Sequence, residues 1–345
     1  MQRYYFLLEN MYRAMIIFWL TCLVGYPRTS APEPRKIVIF MNIKDNQPLM
    51  VTIRCTAYNH EPYIRACLEG FVMQKTNFRF EAIVHDDAST DGTAAIIKEY
   101  AEKYPDVIKP ILERENQYSK GTLGKIMDEA SKGKYIAFCE GDDYWTDPLK
   151  LQKQVDFLES HPDCSLCFHN AIIHWEDGRA EDAIFSNVEN RYYTGIEIFQ
   201  KWIIPTASVL IRYTDEYKKW RSLAAQDKTF CYGDILCFLS AYKCGKLYGM
   251  SDVMSVYRKQ EGGAVFNYSI RREIRHAYHC LEIYKVFGEE YKKLSKHFFT
   301  EYGVEAFMNA RGNHQYKWNL LFDLLRFNFC PSIKAFTSFF SVSSL

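Results

Sequence analysis

Several things this chain lacks narrow its reading at once. It has almost no net charge: 43 Lys and Arg stand against 42 Asp and Glu, leaving +1. Without a global positive field, the sequence argues against a nucleic-acid partner. It has no cysteine framework, since 11 cysteines, an odd number, are scattered without paired spacing. Such cysteines read as reduced, buried, small hydrophobes in a reducing compartment. The apolar run Ala14–Tyr26 falls short of the about 20 residues that a comfortable membrane span needs. Residues 1–49 therefore read as an N-terminal extension of one of two kinds. Either it lies upstream of the true start, with Met41 and Met50 as candidate initiators, or it is a weak anchor. Internal repeats and low-complexity linkers are also missing.

What is present suits a folded soluble protein, because 48% of residues are hydrophobic and 25% charged. From residue 50 strands and helices alternate. Strands are expected at Met50–Thr56, Phe80–His85, Val107–Leu112 and Lys134–Phe138. Helices are expected from Pro62 to Lys75, from Gly92 to Tyr104 with Asp91 as a cap, and from Gly121 to Ser131. Strands separated by crossover helices imply a parallel α/β sheet, with ligands bound beyond the carboxyl ends of its strands. After Asp143 the order changes. A helix is expected from Asp147 to Ser160, then strands at Cys164–Trp175 and Thr206–Tyr213. A helix near Asp234 follows, with one or two late strands in Lys246–Tyr257. Beyond Phe266 the chain reads as helices, with an aromatic, apolar end.

Three stretches carry candidate chemistry. The strand before Cys139 ends in the carboxylates Glu140, Asp142 and Asp143. Carboxylates crowded on a rigid strand end repel unless a proton or cation offsets them. A hard divalent ion takes oxygen ligands and leaves positions for phosphate oxygens. The bland alternative is a solvated acidic turn. The second stretch, His85–Thr93, places Asp86 and Asp87 at a strand end before the polar loop Ser89–Thr90. Carboxylates there can accept bonds from a base or ribose, although ordinary strand–loop–helix punctuation explains Asp91 as well. The third, Thr56–His60, is a turn with Tyr58 available to stack on a base, or simply a capped turn. All three should lie at the carboxyl ends of adjacent parallel strands and so face one crevice.

In that order along the chain, residues 50–260 resemble the family 2 glycosyltransferases of the GT-A fold. Val51–Asn59 is similar to the family's first strand and its Tyr-Asn turn. Asp86–Thr93 matches its Asp-Asp-x-Ser-x-Asp-Gly-Thr pattern. Glu140–Asp143 stands where the family carries a metal-binding Asp-x-Asp, with Glu in place of the first Asp. The resemblance implies a GT-A-like nucleotide-binding sheet flanked by helices over residues 50–262 and a helical C-terminal extension over 263–345. It implies nucleotide binding by Thr56, Tyr58, Asn59 and Asp87, and a Mn or Mg ion on Asp142 and Asp143, with Glu140 as an open third ligand. The family also places a catalytic carboxylate at the start of a later helix, and Tyr232–Leu239 resembles that element. This names Asp234 as the general base of an inverting transfer, the alternative being a plain N-cap.

The expected activity is transfer of one sugar, of hexosyl type, from a nucleotide-sugar donor to a glycan or lipid-linked glycan acceptor in bacterial surface-polysaccharide or capsule synthesis. UDP is the expected nucleotide because it is common in the family. Processive synthases of the family carry Gln-x-x-Arg-Trp, which this chain lacks. The aromatic end, dotted by Lys317, Arg326 and Lys334, points to peripheral membrane contact at the inner face of the membrane. Two rivals remain: a sugar-nucleotide or nucleotidyl transferase, and a non-catalytic nucleotide- or glycan-binding relative. The first usually carries a Gly-rich basic loop after its first strand, and Thr56–Pro62 has neither Gly nor Lys or Arg. Cys164, Cys167, His169 and His174 imitate a zinc site in spacing, but side chains along one strand point to opposite faces.

Overall fold

A computed structural model describes residues 47–226, 229–260, 269–309 and 318–327. The run Ala14–Tyr26, Lys317, Lys334 and the last 18 residues of the chain lie outside them.

The first half is a wound α/β unit. Strands β1 (Leu49–Ala57), β2 (Arg79–Asp86), β3 (Ile108–Leu112) and β4 (Tyr135–Phe138) pair in parallel in the order β3-β2-β1-β4. Strand β1 lies between two neighbours, and Val51, Ile53 and Cys55, which share one face of it, are fully buried under the flanking helices, while on the other face Thr52 is buried and Arg54 and Thr56 are partly so. Helix α1 (Ile64–Val72) buries Ile64, Cys67, Leu68 and Phe71. Their spacing is that of one helical face. Each full burial of such a Leu, Ile or Phe contributes about 1.5–3 kcal/mol. Helix α2 (Thr93–Lys103) crosses from β2 to β3. Between β3 and β4 stand a one-turn helix, α3 (Gln117–Lys120), and α4 (Leu123–Ala130), separated by Gly121 in the left-handed region at φ 73°.

Beyond β4 the sheet becomes mixed. Two-residue β5 (Tyr144–Trp145) precedes α5 (Lys150–Ser160) and the long β6 (Cys164–Trp175). Short β7 (Ala183–Ile184), β8 (Arg191–Tyr193) and α6 (Gly195–Gln200) follow, then β9 (Leu210–Arg212), α7 (Asp215–Ala225), α8 (Gly233–Tyr242) and β10 (Lys246–Lys259). Strand β9 runs antiparallel between β4 and β6, and β10 runs parallel to β6. The late strands form one continuous element, shifted in register between Met250 and Ser255.

The strand expected at Thr206–Tyr213 is shortened for a clear reason. Its first part is a 3-10 turn, Thr206–Ser208, after Pro205. The carbonyls of Ala207 and Ser208 accept side-chain donors instead of ladder partners: Trp145 Nε1 at 2.8 Å and Gln154 Nε2 at 2.8 Å. Helices α9 (Ile270–Phe287), α10 (Lys292–Asn309) and α11 (318–327) form the C-terminal helical region. Leu320 and Leu324 of α11 are buried among Leu281, Phe299 and Val304.

One core residue is out of character. Lys150 at the start of α5 is fully buried, with Nζ 2.8 Å from Gln154 Oε1 and 4.0 Å from the centre of the Trp145 ring. Burial pulls its pKa down to about 7. The folded state therefore binds its proton less tightly than the unfolded state does. The penalty is complete below about pH 7 and fades as pH rises toward the ordinary lysine value. Lys150→Met should raise the unfolding free energy by roughly 2–4 kcal/mol at pH 6. The gain should shrink between pH 7 and 10, as read by denaturant melts of both proteins across that range.

Candidate active site

The three candidate loops are drawn together by the pairing of β1 with β2 and β4. Ala57 lies opposite Asp86 in the ladder. Past the strand ends the Asp87 N–H donates to the Ala57 carbonyl at 2.9 Å, and the Gly141 N–H to the Thr56 carbonyl at 2.9 Å. A side chain at Gly141 would put its Cβ 2.9 Å from both Ala57 Cβ and His60 Nδ1. Only glycine lets the acidic turn pass this close to the first loop.

The loops after β1 and β2 are clasped to each other. Asn59, at φ 56°, donates its backbone N–H to Ser89 Oγ and accepts from the Thr90 N–H through Oδ1 at 2.8 Å. The Glu61 N–H donates to Asp91 Oδ2 at 3.0 Å, and Glu61 Oε2 accepts from the Gly92 N–H at 2.8 Å. Asp91 also accepts from the Thr93 N–H at 3.0 Å, but α2 starts at Thr93 with Gly92 as its N-cap, so Asp91 lies one residue before the cap position expected of it. Ala88 is held at φ 63°, a strained conformation for a residue with a Cβ. Asp87 is buried, and its two oxygens accept the Gln117 and Tyr118 N–H groups at 2.6 and 3.1 Å. It thereby fixes α3 over the crevice. Asn59 and Asp87 thus build loops, while Tyr58 remains 48% exposed beside them.

The acidic turn divides its carboxylates. Glu140 lines a cavity of about 790 Å³, together with Thr56 and Asp234. Burial, then the charges of Asp142 and Asp234, push its pKa up to about 8. Asp142 is part-exposed; its Oδ2 accepts from Gln260 Nε2 at 3.1 Å and lies 3.9 Å from His60 Nε2. Asp143 is buried, accepts the Arg258 N–H through Oδ1 at 2.8 Å, and leaves Oδ2 buried without a hydrogen-bond partner. Burial, followed by Asp142 and Glu140, holds its pKa well above the usual carboxylate range.

These oxygens suit a hard cation, because orphaned, crowded carboxylates are what such an ion offsets. Among the described residues no three Cys, His, Asp or Glu side chains form a ready-made metal cage. An ion on Asp142 and Asp143 would therefore complete its coordination with ligand oxygens and water.

Arg258 is the residue whose part the sequence hides. Its backbone donates to Asp143, its Nε donates to the Asp142 carbonyl at 2.7 Å, and its guanidinium also pairs with Glu176. The ring of Tyr144 lies 4.7 Å from the same guanidinium. Strand β10 thus locks the acidic turn from the far side of the sheet. The only hint in the sequence is the Tyr257–Arg258 pair after a strand.

Asp234 opens α8 and faces the same cavity as Glu140. Burial raises its pKa; the Ile235 N–H, bound at 2.8 Å, and the charge of Arg221 oppose the rise. A carboxylate made more basic in this way is a better proton acceptor near neutral pH. A smaller cavity of about 190 Å³ continues past Asp234 between α8, α9 and α10. Of the residues expected at the site, Thr56, Glu140 and Asp234 meet at the main cavity. Tyr58, Asn59, Asp87, Asp142 and Asp143 do not line it; they lie on the neighbouring loops after β1, β2 and β4.

The raised acids give a pH-dependent test. Glu140 and Asp143 hold protons more tightly folded than unfolded, so stability is lost as pH rises above their ordinary values, for Glu140 through about 8. A cation replaces the proton, so its benefit grows with pH. Mn2+ should raise the melting temperature several degrees more at pH 8 than at pH 6. An equal shift at both pH values would place the ion elsewhere.

Residues 52–214, just under half of the chain, match the family model described as Glycosyl transferase family 2. An uncharacterized protein of Mycobacterium tuberculosis is 43% identical over 168 residues, 48% of this chain and 48% of that protein. The Escherichia coli UDP-Glc:alpha-D-GlcNAc-diphosphoundecaprenol beta-1,3-glucosyltransferase WfaP is 36% identical over 113 residues, 32% of this chain and 42% of that enzyme. The chain thus spans about half, or less, of the length of these curated relatives. Among solved structures, S. aureus TarS 1-349 in complex with UDP-GlcNAc superposes with a TM-score of 0.56 at 18% identity, covering 81% of each chain. The fold is accordingly of the GT-A type.

Proposed function

We propose that this protein is an inverting glycosyltransferase that moves a single sugar from a nucleotide-diphosphate donor to an acceptor hydroxyl in bacterial surface-polysaccharide synthesis. The observation that carries the reading is the meeting of Glu140, at the end of β4, and Asp234, at the start of α8, across one cavity. The match of residues 52–214 to the glycosyltransferase family supports it.

In this reading the nucleoside lies over the edge formed by Thr56, Tyr58, Asn59 and Asp87. The exposed Tyr58 ring offers a stacking face, and Thr56 offers a hydroxyl at the cavity. Asp142 and Asp143 would hold the divalent ion, Mn or Mg, whose charge offsets that of the departing diphosphate. Glu140 faces the donor sugar. Asp234 accepts the proton of the attacking hydroxyl as the new glycosidic bond forms and the bond to the diphosphate breaks on the opposite face. A UDP-sugar donor and a lipid-linked acceptor are supported by the name of the E. coli relative.

Asp234→Asn should lower turnover by about 10²–10⁴-fold, the usual worth of a general base, while nucleotide binding stays nearly intact. Single-turnover transfer and calorimetric UDP binding, each with and without EDTA, measure the two separately. Near-normal transfer by the variant would remove Asp234 from the chemistry, and transfer that persists in EDTA would remove the ion.

Among the described residues, no helix is long and apolar enough to cross a membrane. Contact with a membrane surface is supported by Trp318 and Phe322. They are 65% and 66% exposed and stand one helical turn apart on α11. Trp318→Ser with Phe322→Ser should cut co-flotation with anionic liposomes several-fold. Unchanged flotation would rule out this face.

A further inference from the structure

The acid-lined cavity has a basic side, and its three arginines are not alike. Arg54 is paired with Asp128 at 2.8 Å, donates through Nε to Ser131 Oγ at 2.8 Å, and packs on the Phe138 and Tyr213 rings. Arg272 lies with its guanidinium 5.8 Å from the centre of the Tyr232 ring. Arg221, on α7, faces the same cavity and carries a buried Nη1 that has no hydrogen-bond partner. The acids whose charges reach it are Asp128 and Asp234. Asp128 is already held by Arg54.

A buried guanidinium nitrogen without an acceptor is costly, and native structures rarely keep one without a use. It sits on the Asp234 side of the cavity, away from the turn of Asp142 and Asp143, so the anion it awaits belongs with the acceptor rather than the donor. The annex beyond Asp234 adds a second feature. It is lined by Phe199, Trp202, Tyr232, His276, Phe298 and Tyr302. Such a wall takes sugar faces or an apolar chain, and a guanidinium fork suits the oxygens of a phosphate.

We infer that Arg221 is an acceptor-recognition residue and that the acceptor carries a phosphate ester beside the sugar that is glycosylated. The inference rests on the glycosyltransferase reading for the word acceptor, but not for the phosphate site itself. Phosphate oxygens would take the free Nη1. The aromatic annex would take the group on the other side of the phosphate. The attacking hydroxyl would then lie at Asp234.

Phenyl phosphate is a suitable probe, since it joins a dianion to one aromatic ring. It would be titrated calorimetrically into the full-length protein with UDP and Mn2+ present to occupy the donor side. Wild type should bind it, and Arg221→Gln should weaken binding at least tenfold. Arg221→Lys should keep an intermediate affinity, because it retains the charge but not the fork. Benzoate, a monoanion of similar size, should bind at least tenfold more weakly than phenyl phosphate to wild type. Arg221→Gln should melt near the wild-type temperature, since removing the orphaned Nη1 offsets the charge withdrawn from Asp234.

Absence of binding to wild type, or equal binding by Arg221→Gln, would overturn the site. Equal binding of benzoate would overturn the assignment to phosphate. A lowered melting temperature in Arg221→Gln would make the residue structural and overturn its role in recognition. Failure of the glycosyltransferase reading would appear separately, as a wild-type protein that binds no UDP while its phenyl phosphate titration stands or falls alone.

Discussion

The constraint on which the site depends is the crowding of negative charge at the end of β4. Glu140, Asp142 and Asp143 occupy four consecutive positions with Gly141, and Asp234 approaches Glu140 from α8. Like charges this close and this buried cannot all be ionised without a counter-charge. The fold supplies part of one: Arg258 donates to the acidic turn from β10, and Arg221 partly offsets the burial of Asp234. It leaves Asp143 Oδ2 unsatisfied. That residue of uncompensated charge is what the proposed cation and diphosphate would balance.

The rest of the architecture keeps the crowding in place. Strand β1 brings the first loop to the acidic turn, and Gly141 permits the approach. The clasp between Asn59–Glu61 and Ser89–Gly92 uses side chains that a sequence reader would send to the ligand. Their work in fixing the loops and a place beside a nucleotide are compatible, since a rigid loop presents its neighbours, such as Tyr58, at a fixed position. Asp87 illustrates this by holding α3, and with it Tyr118, at the rim of the cavity.

The parallel core was legible because its strands are short apolar runs that end in turn residues, and β6 was expected with the bounds it has, Cys164–Trp175. The acids after β4 stand out in the sequence as carboxylates at a strand end, whereas Asp234 is named only through the family resemblance, since its local sequence equally suits a plain N-cap. What escaped notice depends on long-range contacts. Nothing local marks Pro205–Ser208 as a turn held by Trp145 and Gln154, which lie more than fifty residues earlier. Arg258 looks like one more strand residue until β10 is seen to run beside β5 and deliver it to Asp142 and Asp143. Lys150 reads as a solvated first-turn lysine, yet packing on Trp145 buries it completely. Arg221 likewise belongs to a helix with a charged sequence, and only the meeting of α7 with α8 turns it toward the cavity.

The most direct test of the account is donor hydrolysis by the purified protein over a panel of UDP-, GDP- and dTDP-sugars with Mn2+. A nucleotide-sugar glycosyltransferase releases nucleoside diphosphate slowly to water when its acceptor is absent. The account predicts such release from at least one sugar nucleotide, most strongly from a UDP-sugar, and its loss on Asp142→Asn. Binding of these nucleotides without any release, or release of nucleoside monophosphate in place of diphosphate, would contradict it.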